Sequence, residues 1–365
     1  MTIGIGGAGS KIAARLDPNA TIVNVSESEL NKVQAGQRIL AVIHAARGQF
    51  RGSRKTPQIG RDAYLSIKRE LLTLIPGSTV ISSTGGGTGN GITAAILADL
   101  ATADHIPPQE KTLFILVLPY AKLEPAEYIK NTIDFLQTAL SDAIDSGNTG
   151  NIVLFSNLMK FESRLSEESY NQMLVDSLRV FLAIPEKNDT LKLLDGHIDF
   201  EDFVLYTSKS YFNHFTYFDF DPEVSFAKQF EVNHNPLLLP PEAPIEALFL
   251  LEVPPGGDPT SFYHILEFFA MKNVAPVYSV VEQPAIKKPF VTVSLLYSRK
   301  PAELLDDFNR VSEEHAKAKV RKSLEQQVSL PKLEVSLETE VKRVAKQRGG
   351  TESDILVVLR RLGKL

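Results

Sequence analysis

The sequence contains no cysteine among its 365 residues, which excludes disulfide bonds, thiolate metal sites and thiol nucleophiles. It also lacks the apolar run of roughly 18 residues that a membrane-spanning helix needs, and a basic start followed by an apolar stretch, so we expect no classical export signal. The net charge of −5 gives no general bias toward nucleic acid or anionic membranes. With 43% hydrophobic and 23% charged residues the composition is that of a soluble globular protein, and we predict a cytoplasmic location.

The most informative segment is a glycine-rich loop. It contains five glycines in seven positions and reads Gly85, Gly86, Gly87, Thr88, Gly89, Asn90 and Gly91. An apolar run at residues 79–81 precedes it and an apolar-periodic segment at 92–101 follows, which predicts strand, loop and helix. Glycine backbone is costly to fix and is used where a ligand approaches closely, and a helix N-terminus offers free N–H groups to an anion. We therefore predict a phosphate-binding loop. The alternative, a flexible linker, is typical of tracts between domains.

A second glycine loop lies near the start of the chain. The sequence GIGGAG at residues 4–9 satisfies G-x-G-x-x-G between a predicted strand and a predicted helix at 10–16, and Glu27 or Glu29 follows about 20 residues on. Taken alone, this pattern indicates a Rossmann fold and an NAD-dependent oxidoreductase. Such a fold has no use for the richer loop at 85–91. Two loops at neighbouring strand ends would instead hold the phosphate chain of a nucleoside triphosphate from both sides.

Strand-like and helix-like segments alternate through the first two thirds of the chain. This alternation predicts an α/β fold with a doubly wound, mostly parallel sheet that binds ligands at the carboxyl ends of its strands. After about residue 202 the pattern changes to strands at 245–253, 274–281 and 290–297, and residues 206–244 show no assignable periodicity. We predict four parts: a nucleotide-binding α/β domain at 1–165, a central helix with a following loop at 166–205, a smaller α+β domain at 206–300, and a long helix with a basic tail at 301–365.

The GGGTGNG loop closely resembles the signature GGGTG[ST]G of the tubulin/FtsZ superfamily, with Asn90 in place of the usual serine or threonine. The resemblance continues in chain order over roughly residues 1–300. It implies a GTP-binding and GTP-hydrolysing cytoskeletal protein that polymerises head-to-tail into filaments. It also implies GTP or GDP as the nucleotide, with Mg²⁺ held through the phosphates and water rather than by protein ligands.

The resemblance assigns nucleotide contacts to several loops. Gly48 falls where the superfamily has its γ-phosphate-sensing loop, and Glu124 falls where it has a ribose-binding glutamate. Tyr170 would stack on guanine and Asn171 would read its edge, although Tyr170 also fits a core aromatic. The residues so predicted to bind nucleotide are Gly6, Gly7, Ala8, Gly9, Asn24, Gly48, Gly85, Gly86, Gly87, Thr88, Gly89, Asn90, Pro119, Glu124, Tyr170 and Asn171.

The segment at residues 196–202, GHIDFED, resembles the co-catalytic loop N-x-D-F-x-D of the same superfamily, with His197 in place of asparagine. The resemblance implies that His197, Asp199 and Asp202 act on the nucleotide of the neighbouring subunit, where they polarise the attacking water. The alternative is that the two aspartates only cap the helix that follows.

The C-terminal region separates branches of the superfamily. From Lys317 to Leu365 the sequence has twelve Lys and Arg residues against six acidic ones, at the end of a long predicted helix. This end resembles the plasmid and phage segregation tubulins of the TubZ kind, or a divergent FtsZ-like protein. It suggests a role in cell division or DNA segregation, with a tail that docks on the neighbouring subunit or on an acidic or DNA-bound adaptor. A second interpretation is a tubulin-fold scaffold that binds nucleotide and hydrolyses little.

Overall fold

A computed structural model describes residues 1–43, 52–239, 241, 243–299, 306, 308–310, 313, 314, 316–318, 320 and 321. Its strands, in chain order, are β1 Thr2–Ile5, β2 Thr21–Asn24, β3 Gln37–Leu40, β4 Thr79–Ser83, β5 Leu113–Leu118, β6 Ile152–Ser156, β7 Lys192–Gly196, β8 Phe212–Asp219, β9 Glu246–Val253, β10 Val277–Glu282 and β11 Phe290–Tyr297. The α-helices are α1 Gly6–Leu16, α2 Glu27–Leu30, α3 Pro57–Leu74, α4 Gly87–Thr102, α5 Ala126–Phe135, α6 Ser141–Ser146, α7 Leu158–Glu162, α8 Glu167–Leu182, α9 Ile184–Thr190, α10 Phe200–Thr207, α11 Phe226–Val232 and α12 Tyr263–Ala270. Short 3-10 helices occupy Pro108–Glu110 and Pro259–Phe262, and a π-helical turn, Leu136–Leu140, joins α5 to α6.

All these strands form one sheet in the order β3-β2-β1-β4-β5-β6-β8-β11-β9-β10-β7. From β3 to β8 every neighbouring pair is parallel, and β8, β11 and β9 pair antiparallel. Strands β9 and β10 are again parallel, and β7 closes the sheet antiparallel to β10. The predicted α/β class with a mostly parallel sheet is therefore confirmed.

Strand β5 shows why the centre of the sheet reads as an unbroken apolar run. Its alternate residues Phe114, Leu116 and Leu118 pack into the core on one face, with side chains of α3 and α4. The intervening residues, Ile115 among them, pack on the other face with side chains of α1, α8 and α10. A strand covered by helices on both faces needs apolar residues at every position. A third core cluster joins β9, β10 and β11 to α11 and α12.

The sequence-based boundaries differ from the structure at two kinds of element. Helices α1 and α4 begin inside the glycine loops, at Gly6 and Gly87, rather than at residues 10 and 92. Helix propensity does not predict these first turns, because glycine is a poor helix former unless tertiary contacts hold it in place. Strands β7 and β8 were not predicted. Strand β8 is buried on both faces but carries Asn213, His214 and Thr216 among its aromatic residues. Its sequence therefore shows neither the alternating pattern of a strand nor the periodicity of a helix.

One polar residue of β8, Asn213, belongs to a buried hydrogen-bond network that connects the two halves of the sheet. The Asn213 amide donates to Oδ1 of Asn151, the residue before β6, at 2.8 Å, and Ser294 Oγ on β11 donates to Asn213 Oδ1 at 2.8 Å. The Tyr206 hydroxyl on α10 donates to the Ser294 carbonyl at 2.9 Å. Burial lowers the pKa of the neighbouring His214 to about 4, so this imidazole is neutral in the fold. The network fixes α10 to the sheet that carries the glycine loops.

The chain divides into two compact units, Met1–Glu313 and Glu314–Leu365. Residues 314, 316–318, 320 and 321 of the second unit are helical, and the rest of the predicted helix and basic tail lies outside the described residues. The four-part division proposed from the sequence stays a prediction, although its boundary near residue 206 falls within one continuous sheet. Among the helices that the structure describes, none is long and apolar enough to cross a membrane.

Candidate nucleotide-binding site

A cavity of about 450 Å³ opens at the carboxyl ends of the parallel strands. Strands β1, β2, β4, β5 and β6 run in one direction, so the loops that follow them meet at one edge of the sheet. Of the residues predicted to bind nucleotide, those that line this cavity are Gly7, Ala8, Asn24, Gly85, Gly86, Gly87, Thr88, Gly89, Pro119, Glu124, Tyr170 and Asn171. The structure thus brings together residues that lie as far as 164 positions apart in the chain.

The first glycine loop is shaped by contact with the second. Gly6 has φ +74°, and a Cβ atom on it would lie 2.8 Å from the backbone nitrogen of Gly89. A Cβ atom on Gly9 would collide with the carbonyl oxygen of Ile81 in β4. Gly6 and Gly9 therefore let the two loops approach, while Gly7 and Ala8 between them line the cavity.

The second glycine loop places the start of α4 at the cavity. Gly86 is the N-cap residue with φ −77° and ψ 169°, and no side chain caps the free N–H groups of the first turn. A Cβ atom on Gly86 would have only Ser83 Oγ within 4 Å, at 3.6 Å, so this position faces open space. Uncapped N–H groups at the N-terminus of a 16-residue helix are a favourable place for a phosphate.

Asn90 lies behind this loop and does not line the cavity. Its buried amide donates to the carbonyl oxygens of Thr84 at 2.5 Å and Asn131 at 2.9 Å. The Asn131 amide in turn donates to the carbonyl oxygens of Gly85 and Lys55, both at 2.9 Å. Asn90 therefore positions the loop from behind, with a reach that the serine or threonine of the superfamily signature does not have.

Two carboxylates of the cavity wall are oriented by amides. Glu124 Oε2 accepts hydrogen bonds from the Tyr120 backbone N–H at 2.6 Å and from the Asn157 amide at 2.9 Å. The Asn24 amide donates to Glu29 Oε2 at 2.7 Å. The sequence indicates Glu29 only as the acidic residue of a Rossmann pattern. In the structure it lines the cavity together with Asn24 and Gly7.

Tyr170 and Asn171 open the central helix α8 at the cavity floor. The Tyr170 ring is 2% exposed and its hydroxyl donates to the Ser156 carbonyl at 2.8 Å. Burial, with a smaller contribution from the Glu124 carboxylate, raises the pKa of this phenol, which stays protonated. Tyr170 is thus both a core aromatic and part of the cavity. Within the described part of the chain, the buried Asn171 amide has no hydrogen-bond partner. It is therefore available to form a hydrogen bond with a ligand in the cavity.

Three cations of the cavity wall were not predicted: Arg54, Lys55 and Lys160. Lys55 Nζ lies 5.1 Å from the centre of the Tyr128 ring, another residue of the cavity wall. Arg54 and Lys55 have φ values of +48° and +62°, so both occupy the left-handed region. In the sequence, the adjacent Arg-Lys pair before Thr56-Pro57 is the feature that could have indicated a phosphate-facing loop. Gly48, the predicted residue of that loop, lies outside the described residues.

His197, Asp199 and Asp202 do not line the cavity. Their ligand atoms lie within 4.8 Å of one another at the start of α10. Asp199 is the N-cap of this helix, and its Oδ1 accepts the Asp202 backbone N–H at 2.7 Å. The capping role considered from the sequence is therefore present for Asp199, and the Asp202 side chain takes no part in it. The neighbouring Phe200 is 65% exposed.

Comparison with known proteins identifies the fold. No protein-family model matches the sequence, and no curated protein matches it significantly. Solved structures do match over most of their length. A GTPγS-form protofilament of Bacillus thuringiensis serovar israelensis TubZ aligns with a TM-score of 0.66 at 14% identity, covering 88% of this chain and 93% of that one.

Two further structures agree. A GTPγS-bound protofilament of CetZ2 from Haloferax volcanii aligns with a TM-score of 0.63 at 18% identity, covering 87% of this chain and 98% of that one. An empty FtsZ dimer from M. jannaschii aligns with a TM-score of 0.60 at 18% identity, covering 81% and 87%. The chain therefore has the fold of the tubulin/FtsZ superfamily, as the glycine-loop signature predicted. TubZ structures are among its matches.

Proposed function

We propose that this protein binds and hydrolyses GTP and assembles head-to-tail into filaments. The observation that carries the proposal is the meeting of two glycine loops at one cavity, with the uncapped start of α4 facing it. Backbone N–H groups there would hold the phosphates, with Lys55 and Arg54 close enough to balance their charge. The matches to GTPγS- and GDP-bound structures support guanine as the base, and Tyr170 and Asn171, which line the same cavity, are the residues proposed to contact it.

The chemistry needs positioning more than covalent catalysis. Bound GTP would supply the phosphoanhydride bond, and its Mg²⁺ would be held through phosphates and water. The described cavity offers one carboxylate beside the first glycine loop, Glu29, and its pairing with Asn24 suits a water-mediated contact rather than a direct metal ligand. The residues that orient the attacking water are proposed to come from the next subunit, since His197, Asp199 and Asp202 do not line their own cavity.

Head-to-tail assembly follows from the same division of the site. A contact between unlike surfaces leaves both ends open and continues indefinitely. The exposed Phe200, within the proposed co-catalytic segment, and Leu205, shortly after it, supply apolar area for the contact. By analogy with the TubZ and FtsZ matches, we propose a role in DNA segregation or cell division, with the basic tail binding an acidic or DNA-bound adaptor.

The proposal predicts that GTP turnover depends on protein concentration. The cavity of an isolated molecule lacks the water-orienting residues of a neighbour, so phosphate release per molecule should be slow below an assembly threshold and rise steeply above it. Phosphate release measured across a concentration series, with sedimentation in parallel, checks this. Nucleotide binding and filaments with a flat, near-zero release rate would favour the scaffold interpretation, and failure to bind GTP or GDP would refute the proposal.

A further inference from the structure

A second cavity, of about 650 Å³, lies beside the proposed nucleotide site. We call it the Arg61 pocket. Its wall includes the cations Arg54, Lys55, Arg61 and Lys130. Arg54 and Lys55 also line the nucleotide cavity, so the short loop that bears them separates the two cavities.

The Arg61 pocket carries an excess of positive charge. Two acidic residues, Glu127 and Asp134, accompany the four cations on its wall, and four minus two leaves a net charge of +2. Lys55 Nζ and Glu127 Oε2 form an ion pair at 3.8 Å with both side chains largely exposed. An exposed pair of this kind contributes little, so the remaining cations have an unbalanced field.

Arg61 has no protein partner among the described residues. Its Nε is buried with no hydrogen bond, and in the described part of the chain no carboxylate lies within 4.0 Å of its guanidinium nitrogens. Other arginines on the same unit, such as Arg179, are bonded to a carboxylate or to carbonyl oxygens. A half-buried guanidinium with an unsatisfied donor is costly unless a ligand completes it. Its planar fork matches the oxygens of phosphate and carboxylate groups.

We propose that the Arg61 pocket binds a compact, multiply charged oxyanion that carries phosphate or carboxylate groups. Concavity and a partly covered guanidinium suit a small ligand. Glu127 and Asp134 on the same wall would repel an extended polyanion such as nucleic acid. The ligand would be held by Arg61 and Lys130, with Arg54 or Lys55 turning toward it from the shared loop.

The pocket is coupled to the proposed nucleotide site through a continuous set of contacts. Asn131, on its wall, donates to the carbonyl oxygens of Lys55 and of Gly85 in the second glycine loop. The backbone at Arg54 and Lys55 is in the left-handed region, which is unfavourable for non-glycine residues. The loop can therefore change to other backbone conformations that are more favourable for these two residues. A ligand that holds this loop would change nucleotide affinity, and nucleotide would change ligand affinity by the same factor. Only this coupling rests on the proposed function.

The test is calorimetric titration of pyrophosphate, and separately of citrate, into the full chain saturated with GDP, at low ionic strength. Arg61→Gln should weaken binding at least tenfold. Arg69→Gln is the matched control, because Arg69 is exposed on the same helix α3 and lies outside the pocket; it should change affinity less than twofold. Thermal melting of both variants checks that they fold alike. A preference for pyrophosphate or for citrate distinguishes a phosphate-bearing from a carboxylate-bearing ligand.

Equal binding by wild-type and Arg61→Gln protein, or no binding of either anion, would overturn the proposal. If GDP itself does not bind, the proposed function fails, and titration of the nucleotide-free protein still shows whether anion binding depends on Arg61. If GDP binds and the anion does so only through Arg61, a shift in GDP affinity with pyrophosphate in wild-type but not in Arg61→Gln protein establishes the coupling.

Discussion

Asp202→Ala is expected to lower GTP turnover in assembled filaments by about 100-fold or more, the usual effect of removing a positioned acid or base group. Nucleotide affinity should not change, because Asp202 does not line the cavity of its own subunit. The fold should also be intact, because the contact that caps α10 uses the backbone N–H of residue 202, which alanine retains. Phosphate release from pelleted filaments, with GTP binding measured separately, checks both expectations.

The neighbouring Glu201 provides the control. It is an exposed acidic residue of the same helix turn, outside the proposed catalytic set, so Glu201→Ala removes the same charge without the proposed role. Asp199→Ala is a poorer choice because it also removes the helix cap, at a cost of about 0.5–2 kcal/mol. Turnover by Asp202→Ala filaments equal to that of Glu201→Ala filaments would remove Asp202 from the mechanism.

Gly86→Ala is expected to weaken GTP and GDP binding by about 10- to 100-fold, since an added methyl group in a filled site costs about 1–3 kcal/mol. The backbone at Gly86 is in a region that alanine adopts freely, and the new Cβ atom would contact only Ser83 Oγ at 3.6 Å. The folded protein therefore has room for the methyl group, and only a bound phosphate would not. Equilibrium binding of a fluorescent guanine nucleotide measures the effect.

The melting temperature without nucleotide should be unchanged in Gly86→Ala, which separates a binding defect from a folding defect. Gly91→Ala is a useful contrast, because its Cβ atom would collide with the Pro57 carbonyl oxygen and should destabilise the fold with or without ligand. Wild-type nucleotide affinity in Gly86→Ala would mean that the start of α4 does not face the phosphates.

The sheet and its ligand edge were predictable because their signals are local. Strand β5 is apolar at each of its six positions, and both glycine loops stand between a short buried strand and a helix. Strand β8 was not predictable because its polar residues Asn213, His214 and Thr216 each hydrogen-bond to a partner 17 or more positions away in the chain. Such long-range hydrogen bonds produce no periodic pattern of apolar and polar residues from which a strand could be predicted.

The candidate site was predictable where a motif fixes the backbone and less so where side chains converge from separate loops. Tyr170 is buried in the core and also lines the cavity, so the structure does not choose between the two roles that the sequence offers, and its stacking on guanine stays a prediction. The motif predicts that Asn90 contacts the ligand. In the structure its amide instead donates hydrogen bonds to the carbonyl oxygens of Thr84 and Asn131, behind the loop. Lys160 carries no motif at all, and only the folded chain brings it to the cavity.

The most direct measurement mixes the two variants, Asp202→Ala with an intact cavity and Gly86→Ala with an intact co-catalytic loop, at a GTP concentration that only the former binds. Each alone should release phosphate slowly. If the loop of one molecule acts on the nucleotide of the next, the mixture should recover up to about a quarter of the wild-type rate at equal proportions, because about one contact in four then pairs an intact cavity with an intact loop. A mixture that releases phosphate only at the sum of the two separate rates, although both variants sediment together, would contradict a site shared between subunits.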